Sequence, residues 1–175
     1  MAGTISCMSR TPSIALRKVD QSEAELISTL AIRSKAHWGY DDAFMASCKD
    51  ELSLTPVQIS AANAVYYLAE VHDEIVGFYK LEDIEKDVVV LDALFVDPSS
   101  IGTGVGRALL AHALNTAKQF GARCVEAQSD PNAEAFYCAM GAVVVGRTES
   151  ESIPGRFLPT IQFNFTTSNS AQSNK

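Results

Sequence analysis

The segment Val88–Val96 is a β-branched run that stops at Asp97-Pro98. Ile101-Gly102-Thr103-Gly104-Val105-Gly106-Arg107-Ala108-Leu109-Leu110 then opens an amphipathic helix. Proline donates no ladder hydrogen bond, so the strand ends there. Three alternate glycines at the mouth of a helix leave a row of bare backbone N–H groups where the helix dipole is positive, a setting that suits a diphosphate. The chain is therefore expected to hold a phosphorylated cofactor. A dinucleotide fold asks for G-x-G-x-x-G after the first strand of a βαβ unit. Here the spacing is one residue short, and the loop follows a meander. A P-loop asks for Gly-Lys-Ser/Thr, whereas Gly106 is followed by Arg107-Ala108. A plain glycine-rich turn is the competing explanation.

The 175 residues suffice for one domain with a real core, and 47% of them are apolar. No apolar run approaches the roughly 20 residues of a membrane span. Met1 to Thr11 is polar and lacks the apolar stretch of a signal peptide. A flexible N-terminus over residues 1–10, one domain over 11–165 and a disordered polar tail over 166–175 are expected. The net charge of −7 and the pI of about 4.9 argue against nucleic acid or an anionic membrane as partner and are compatible with a cationic acceptor. Cys7, Cys48, Cys124 and Cys138 form no C-x-x-C pair, and His37, His72 and His112 show no ligand spacing. Free thiols in a reducing, cytoplasmic setting and no metal are expected.

Ser13–Val19 is expected as a first strand. Ser22 and Glu25 are expected as a capping box for a helix through Leu26, Ile27, Leu30 and Ile32, which His37-Trp38-Gly39-Tyr40 breaks. Asp41 caps a second short helix, and Thr55-Pro56 starts a brief helical turn. Ala64–Val71, Glu74–Glu82 and Val88–Val96 make an antiparallel meander. A helix over 104–120 closes at Gly121, with a strand over 123–128, a compact helix over 131–141, and strands over 142–147 and 157–165. The helical crossover makes the strands at Val96 and Arg123 parallel.

Together the strand pattern Leu91-x-x-Leu94-x-Val96-x-Pro98, the glycine loop, Asn132 and Phe136-Tyr137 resemble the GNAT superfamily of acetyl-CoA-dependent N-acetyltransferases, in a bacterial-type small-molecule branch. Most of the chain takes part, and Leu91 to Gly141 is the specific portion. The resemblance implies an α/β (α+β) fold: a mixed, mostly antiparallel sheet with a splayed central parallel strand pair flanked by helices. The domain would then be an acyl-CoA N-acyltransferase. Its cosubstrate would be acetyl-CoA, its partner an amine acceptor, and a homodimer is allowed.

Site roles follow from the resemblance residue by residue. The cofactor diphosphate falls to the backbone of Gly102, Thr103, Gly104, Val105, Gly106 and Arg107. Ile101 stands where the family carries Gln or Arg. The pantetheine arm falls to Leu94, Phe95 and Val96, with Asn132 and Phe136 beside it. The N–H of Phe95 or Val96 would meet the thioester carbonyl. Tyr137 would protonate the leaving thiolate; packing under the sheet is its alternative role. A helix cap is the alternative role of Asn132. Asp92 is a candidate base, because the family's acidic position near Val90 holds valine; an edge carboxylate is the alternative. His37, Trp38, Tyr40 and Arg156 are candidate acceptor contacts, or else a packed corner and a surface charge. The implied activity is acetyl transfer to a primary amine, most simply of a small molecule. A protein or peptide N-acetyltransferase and a CoA-binding module without turnover are the alternatives.

Overall fold

The computed structural model describes residues 13–150 and 153–165, so the expectations for residues 1–10 and 166–175 fall outside them. Seven strands form one sheet: β1 (Ala15–Lys18), β2 (Ala64–Val71), β3 (Glu74–Glu82), β4 (Val88–Val96), β5 (Cys124–Gln128), β6 (Val143–Glu149) and β7 (Phe157–Asn164). Their order is β1-β2-β3-β4-β5-β7-β6. Every neighbouring pair is antiparallel except β4 and β5, which the helical crossover makes parallel. The last strand thus inserts between β5 and β6, an order that local sequence pattern does not reveal. The helices are α1 (Ala24–Ala36), α2 (Asp42–Ser47), α3 (Lys49–Leu52), α4 (Pro56–Ile59), α5 (Val105–Gln119) and α6 (Glu134–Ala139).

Helix entry differs from the expected Ser22–Glu25 box. Asp20 caps instead: its carboxylate accepts from the Ser22 N–H at 2.9 Å, and the Glu23 carboxylate accepts from the Asp20 N–H at 2.8 Å. A carboxylate makes the stronger, charge-assisted cap, so a 3-10 turn begins two residues early. Asp41 caps α2 as expected, accepting from Phe44 N–H at 2.8 Å.

Two apolar clusters sandwich the sheet. On one face α5 buries Val105, Leu109, Leu110, Ala113 and Ala117 against Tyr79, Leu81, Val89, Leu91 and Val125, and Tyr137 joins them. That spacing is the inward stripe of a 3.6-residue repeat, and each fully buried Leu contributes about 1.5–3 kcal/mol. On the other face α1 sets Ile27, Leu30 and Ala31 against Leu68 and Phe78, with Phe95 packed alongside. Together these layers clamp β4 from both faces.

The sheet is not closed at its centre. Ladder pairing of β4 with β5 is confined to Val88–Val90 against Cys124–Glu126. Beyond it the strands part. On the opposite side of β4 the register with β3 slips between Lys80 and Leu81, which face Ala93 and Leu91. Asp92 is therefore the extra residue of a β-bulge, a device that bends a strand and increases its local twist.

Candidate active site

Both parting strands end in the same way. Asp97-Pro98 follows β4 and Asp130-Pro131 follows β5, and each aspartate caps the turn after it, accepting from Ser99 N–H and Asn132 N–H at 3.0 Å. The C-terminal end of α1 sends one cation to each: Arg33 pairs with Asp97, and Lys35 with Asp130 at 3.2 Å. One end of α1 is thus tied by charge to both rims of the gap. Between its walls lies a cavity of about 460 Å³, lined by Leu91 to Val96 except Ala93, by the glycine turn, by Gln128 to Asn132 except Pro131, by Phe136 and Tyr137, and by Ser34, Lys35, Trp38 and Glu51 of the α1–α3 side.

The β4 wall offers unspent main chain. Asp97 N–H donates to Val76 O at 2.8 Å, and Phe95 lies opposite Phe78. Antiparallel alternation then turns the polar groups of Phe95 toward β3 and those of Leu94 and Val96 toward the gap. Of the two expected thioester donors, Val96 therefore has the suitable direction and Phe95 does not. Phe95 contributes its side chain to the α1 face instead.

At the turn, Gly102 and Gly104 adopt φ of +81° and +94°, values that favour glycine. Gly104 is the N-cap of α5. Among the described residues, the N–H groups of Gly102, Gly104, Val105, Gly106 and Arg107 donate to no protein acceptor, as expected of a helix start. Thr103 differs: its N–H and its hydroxyl both go to Ser100 O, at 3.3 and 2.7 Å. It shapes the turn rather than offering a free donor. Gly102, Gly104, Gly106 and Arg107 line the cavity, next to Ile101.

Tyr137 is buried and lines the cavity, edge-on to Phe136 with ring centroids 5.1 Å apart. Its hydroxyl makes no hydrogen bond among the described residues, and burial pushes its pKa well above the ordinary tyrosine value. The proton therefore stays on the oxygen at neutral pH. Asp92 lines the cavity from the bulge and accepts from Lys80 Nζ at 2.8 Å. Lys80 also contacts Glu82. Burial alone would ease the proton off Lys80, but Asp92 and Glu82 outweigh it and hold the lysine cationic.

The acceptor candidates separate. Trp38 lines the cavity and is 43% exposed. His37 is exposed at the end of α1, packed edge-on to Trp38, and does not line it. Tyr40 and Arg156 stand behind the wall. The Tyr40 ring stacks on Phe44 at 4.0 Å, and its hydroxyl donates to Asp130 at 2.8 Å. Arg156 Nη2 donates to the Tyr40 hydroxyl at 2.9 Å and to Asp130 at 3.2 Å. Sequence reasoning missed Asp130, Lys35 and Glu51. For Asp130 a signal existed, since Asp-Pro closes both splayed strands.

Comparison with known proteins agrees with this geometry. The profile of the acetyltransferase (GNAT) family matches residues 29–142. The peptidyl-lysine N-acetyltransferase YjaB of Escherichia coli is 37% identical over 81 residues, 46% of this chain and 50% of that protein. YjaB of Salmonella typhimurium is also 37% identical over 81 residues, 51% of its length. The chain therefore spans about half the length of the curated relatives it matches. A GCN5-related N-acetyltransferase from Rhodopseudomonas palustris superposes with a TM-score of 0.73 at 21% identity, over 89% of this chain and 97% of that one. The PaiA N-acetyltransferase of Thermoplasma acidophilum, solved with coenzyme A, gives 0.72 at 18% identity over 87% and 99%. At such identities the structural likeness speaks for the fold, while the profile match speaks for descent: the chain belongs to the acetyltransferase (GNAT) family.

Proposed function

We propose that the chain moves the acetyl group of acetyl-CoA to the primary amine of a small molecule, by direct attack in a ternary complex. The observation that carries this is the unpaired stretch of β4 beside the free amides that open α5. Those amides and the helix dipole suit the diphosphate, and Arg107 adds a positive charge. The main chain of Leu94 and Val96 pairs with the amide-bearing pantetheine arm as with an added strand. Acetyl-CoA supplies an acyl group activated as a thioester. Val96 N–H donates to the thioester carbonyl oxygen as negative charge grows there.

The amine nitrogen forms its bond to the acyl carbon, and the carbon–sulfur bond breaks. Asp92, or water leading to solvent, takes the proton the amine gives up. Tyr137 donates its hydroxyl proton to the departing sulfur and is reprotonated from solvent. Asp92 and Glu51 supply negative charge at the acceptor end, and Trp38 offers a ring face to a cation.

A second acceptor, a peptidyl lysine, is favoured by the similarity to YjaB over 81 residues. The test is thiol release from acetyl-CoA against amino acids, polyamines, aminoglycosides and lysine peptides. Release above hydrolysis with a member of the panel is expected, and the class that responds assigns the acceptor. Tight CoA binding with no turnover on any member would make the chain a binding module and overturn acetyl transfer.

A further inference from the structure

Asp130 is the most heavily coordinated carboxylate near the cavity, and the proposed chemistry gives it no task. It accepts from Tyr40 Oη at 2.8 Å, from the Asn132 N–H at 3.0 Å, from Asn132 Nδ2 at 3.1 Å, and from Lys35 Nζ and Arg156 Nη2 at 3.2 Å. Burial pushes its pKa up, yet the Asn132 N–H, the Tyr40 hydroxyl and Lys35 outweigh that and hold it below the ordinary value. An ionised carboxylate is acceptor-only. Tyr40 must therefore donate to it, and the Tyr40 oxygen keeps its lone pairs for Asn132 Nδ2 at 3.1 Å and Arg156 Nη2 at 2.9 Å.

This settles the orientation of the Asn132 amide by chemistry. Its nitrogen finds two acceptors in the knot, Asp130 Oδ1 and Tyr40 Oη. The flipped amide would set Asn132 Oδ1 against a carboxylate and leave a donor unsatisfied. With the nitrogen held, Oδ1 has no partner among the described residues, and Asn132 lies on the cavity wall.

We infer that Asp130 is a positioning residue for the cofactor arm: it fixes Asn132 so that the side-chain oxygen, not the nitrogen, is offered to the cavity as acceptor for a pantetheine amide N–H. This rests on the proposed use of acetyl-CoA. The same knot ties α1, the turn after it and the β6–β7 connection to the β5 wall, so the Asp130 carboxylate is held from three sides.

The test compares coenzyme A with 3′-phospho-ADP, which carries the diphosphate but no pantetheine arm. Asp130→Asn gives Asn132 a neighbour that can donate as well as accept, freeing its amide to turn. Calorimetric affinity for coenzyme A should fall about tenfold, or about 1.4 kcal/mol, with 3′-phospho-ADP unchanged within about twofold. In an Asn132→Ala background, Asp130→Asn should cause no further loss, because the effect passes through that amide. Tyr40→Phe keeps the ring stack and removes one of the two acceptors, so it should shift the same ratio in the same direction even where Asp130→Asn does not fold. Unchanged coenzyme A affinity in the variants, equal loss of both ligands, or additive losses in the double variant would each overturn the assignment. A wild-type chain that binds 3′-phospho-ADP and coenzyme A equally would also overturn it. One that binds neither would instead sink the use of acetyl-CoA.

Discussion

Replacing Gly77 with alanine drives a methyl group into the junction that sets the site. A Cβ at this position would lie 2.8 Å from Leu109 Cδ1, 2.8 Å from the Phe95 carbonyl oxygen and 3.3 Å from Val105 Cγ1. Leu109 is fully buried, so its side chain has no open space to swing into. The second contact is backbone of β4, and moving it moves the unpaired stretch. Overpacking of this kind costs about 1–3 kcal/mol. For a domain of this size that lowers Tm by roughly 2–4 °C per kcal/mol, observable by thermal unfolding. Truncating Leu109 to alanine relieves one contact and leaves those with the Phe95 carbonyl and Val105. The double variant should therefore be more stable than the summed single effects allow, yet still bind coenzyme A more weakly than wild type. A Gly77→Ala chain with wild-type Tm and wild-type coenzyme A affinity would refute the idea that close approach of α5 and β4 dictates glycine here.

Three further outcomes are expected. Tyr137→Phe removes a hydroxyl that bonds to no described residue, so Tm should hold while kcat falls about 10²-fold, the lower end for a general acid; an unchanged kcat at saturating substrates rejects the assigned role. Gly104→Ala puts a side chain at φ +94°, at a cost of about 1–2 kcal/mol, and should weaken coenzyme A binding through the α5 amides more than it lowers kcat in calorimetry and steady-state assays. Burial lowers the pKa of His112, which packs against Tyr67 and shares a hydrogen bond with the Tyr79 hydroxyl at 2.8 Å, below its ordinary 6.5. The unfolded chain then binds the proton first, so stability falls as pH drops below about 6.5 until the folded value is reached; His112→Gln should flatten that slope in Tm measured against pH.

The strands of the meander were legible in full, because runs rich in Val, Tyr, Phe and Leu lie between the turn signals His72-Asp73 and Lys86-Asp87. The crossover helix was legible from its apolar stripe and from glycine at both ends. Sheet order at β7 was not, since the pairing of Phe157–Asn164 with Cys124–Gln128 depends on contacts across more than 30 residues that no local pattern encodes. The bulge at Asp92 was hidden for a related reason: its register slip is a property of two strands, and in a regular strand Asp92 would share the face of Val90. Tyr40 and Arg156 were read as acceptor contacts, whereas the structure ties both to Asp130 behind the cavity wall. Their partner Asp130 went unread, because a carboxylate before proline looks like an ordinary turn residue until Lys35 and Arg156 arrive from distant elements.

The central claim is that main chain left unpaired between β4 and β5 receives the cofactor arm. Amide hydrogen exchange resolved at Leu94 and Val96, with and without acetyl-CoA, tests it most directly. Both amides should exchange readily in the free chain and become protected on saturation, while Phe95, bonded into β3, changes little. Protection of Leu94 and Val96 already complete in the free chain, or no change on saturating acetyl-CoA, would contradict it.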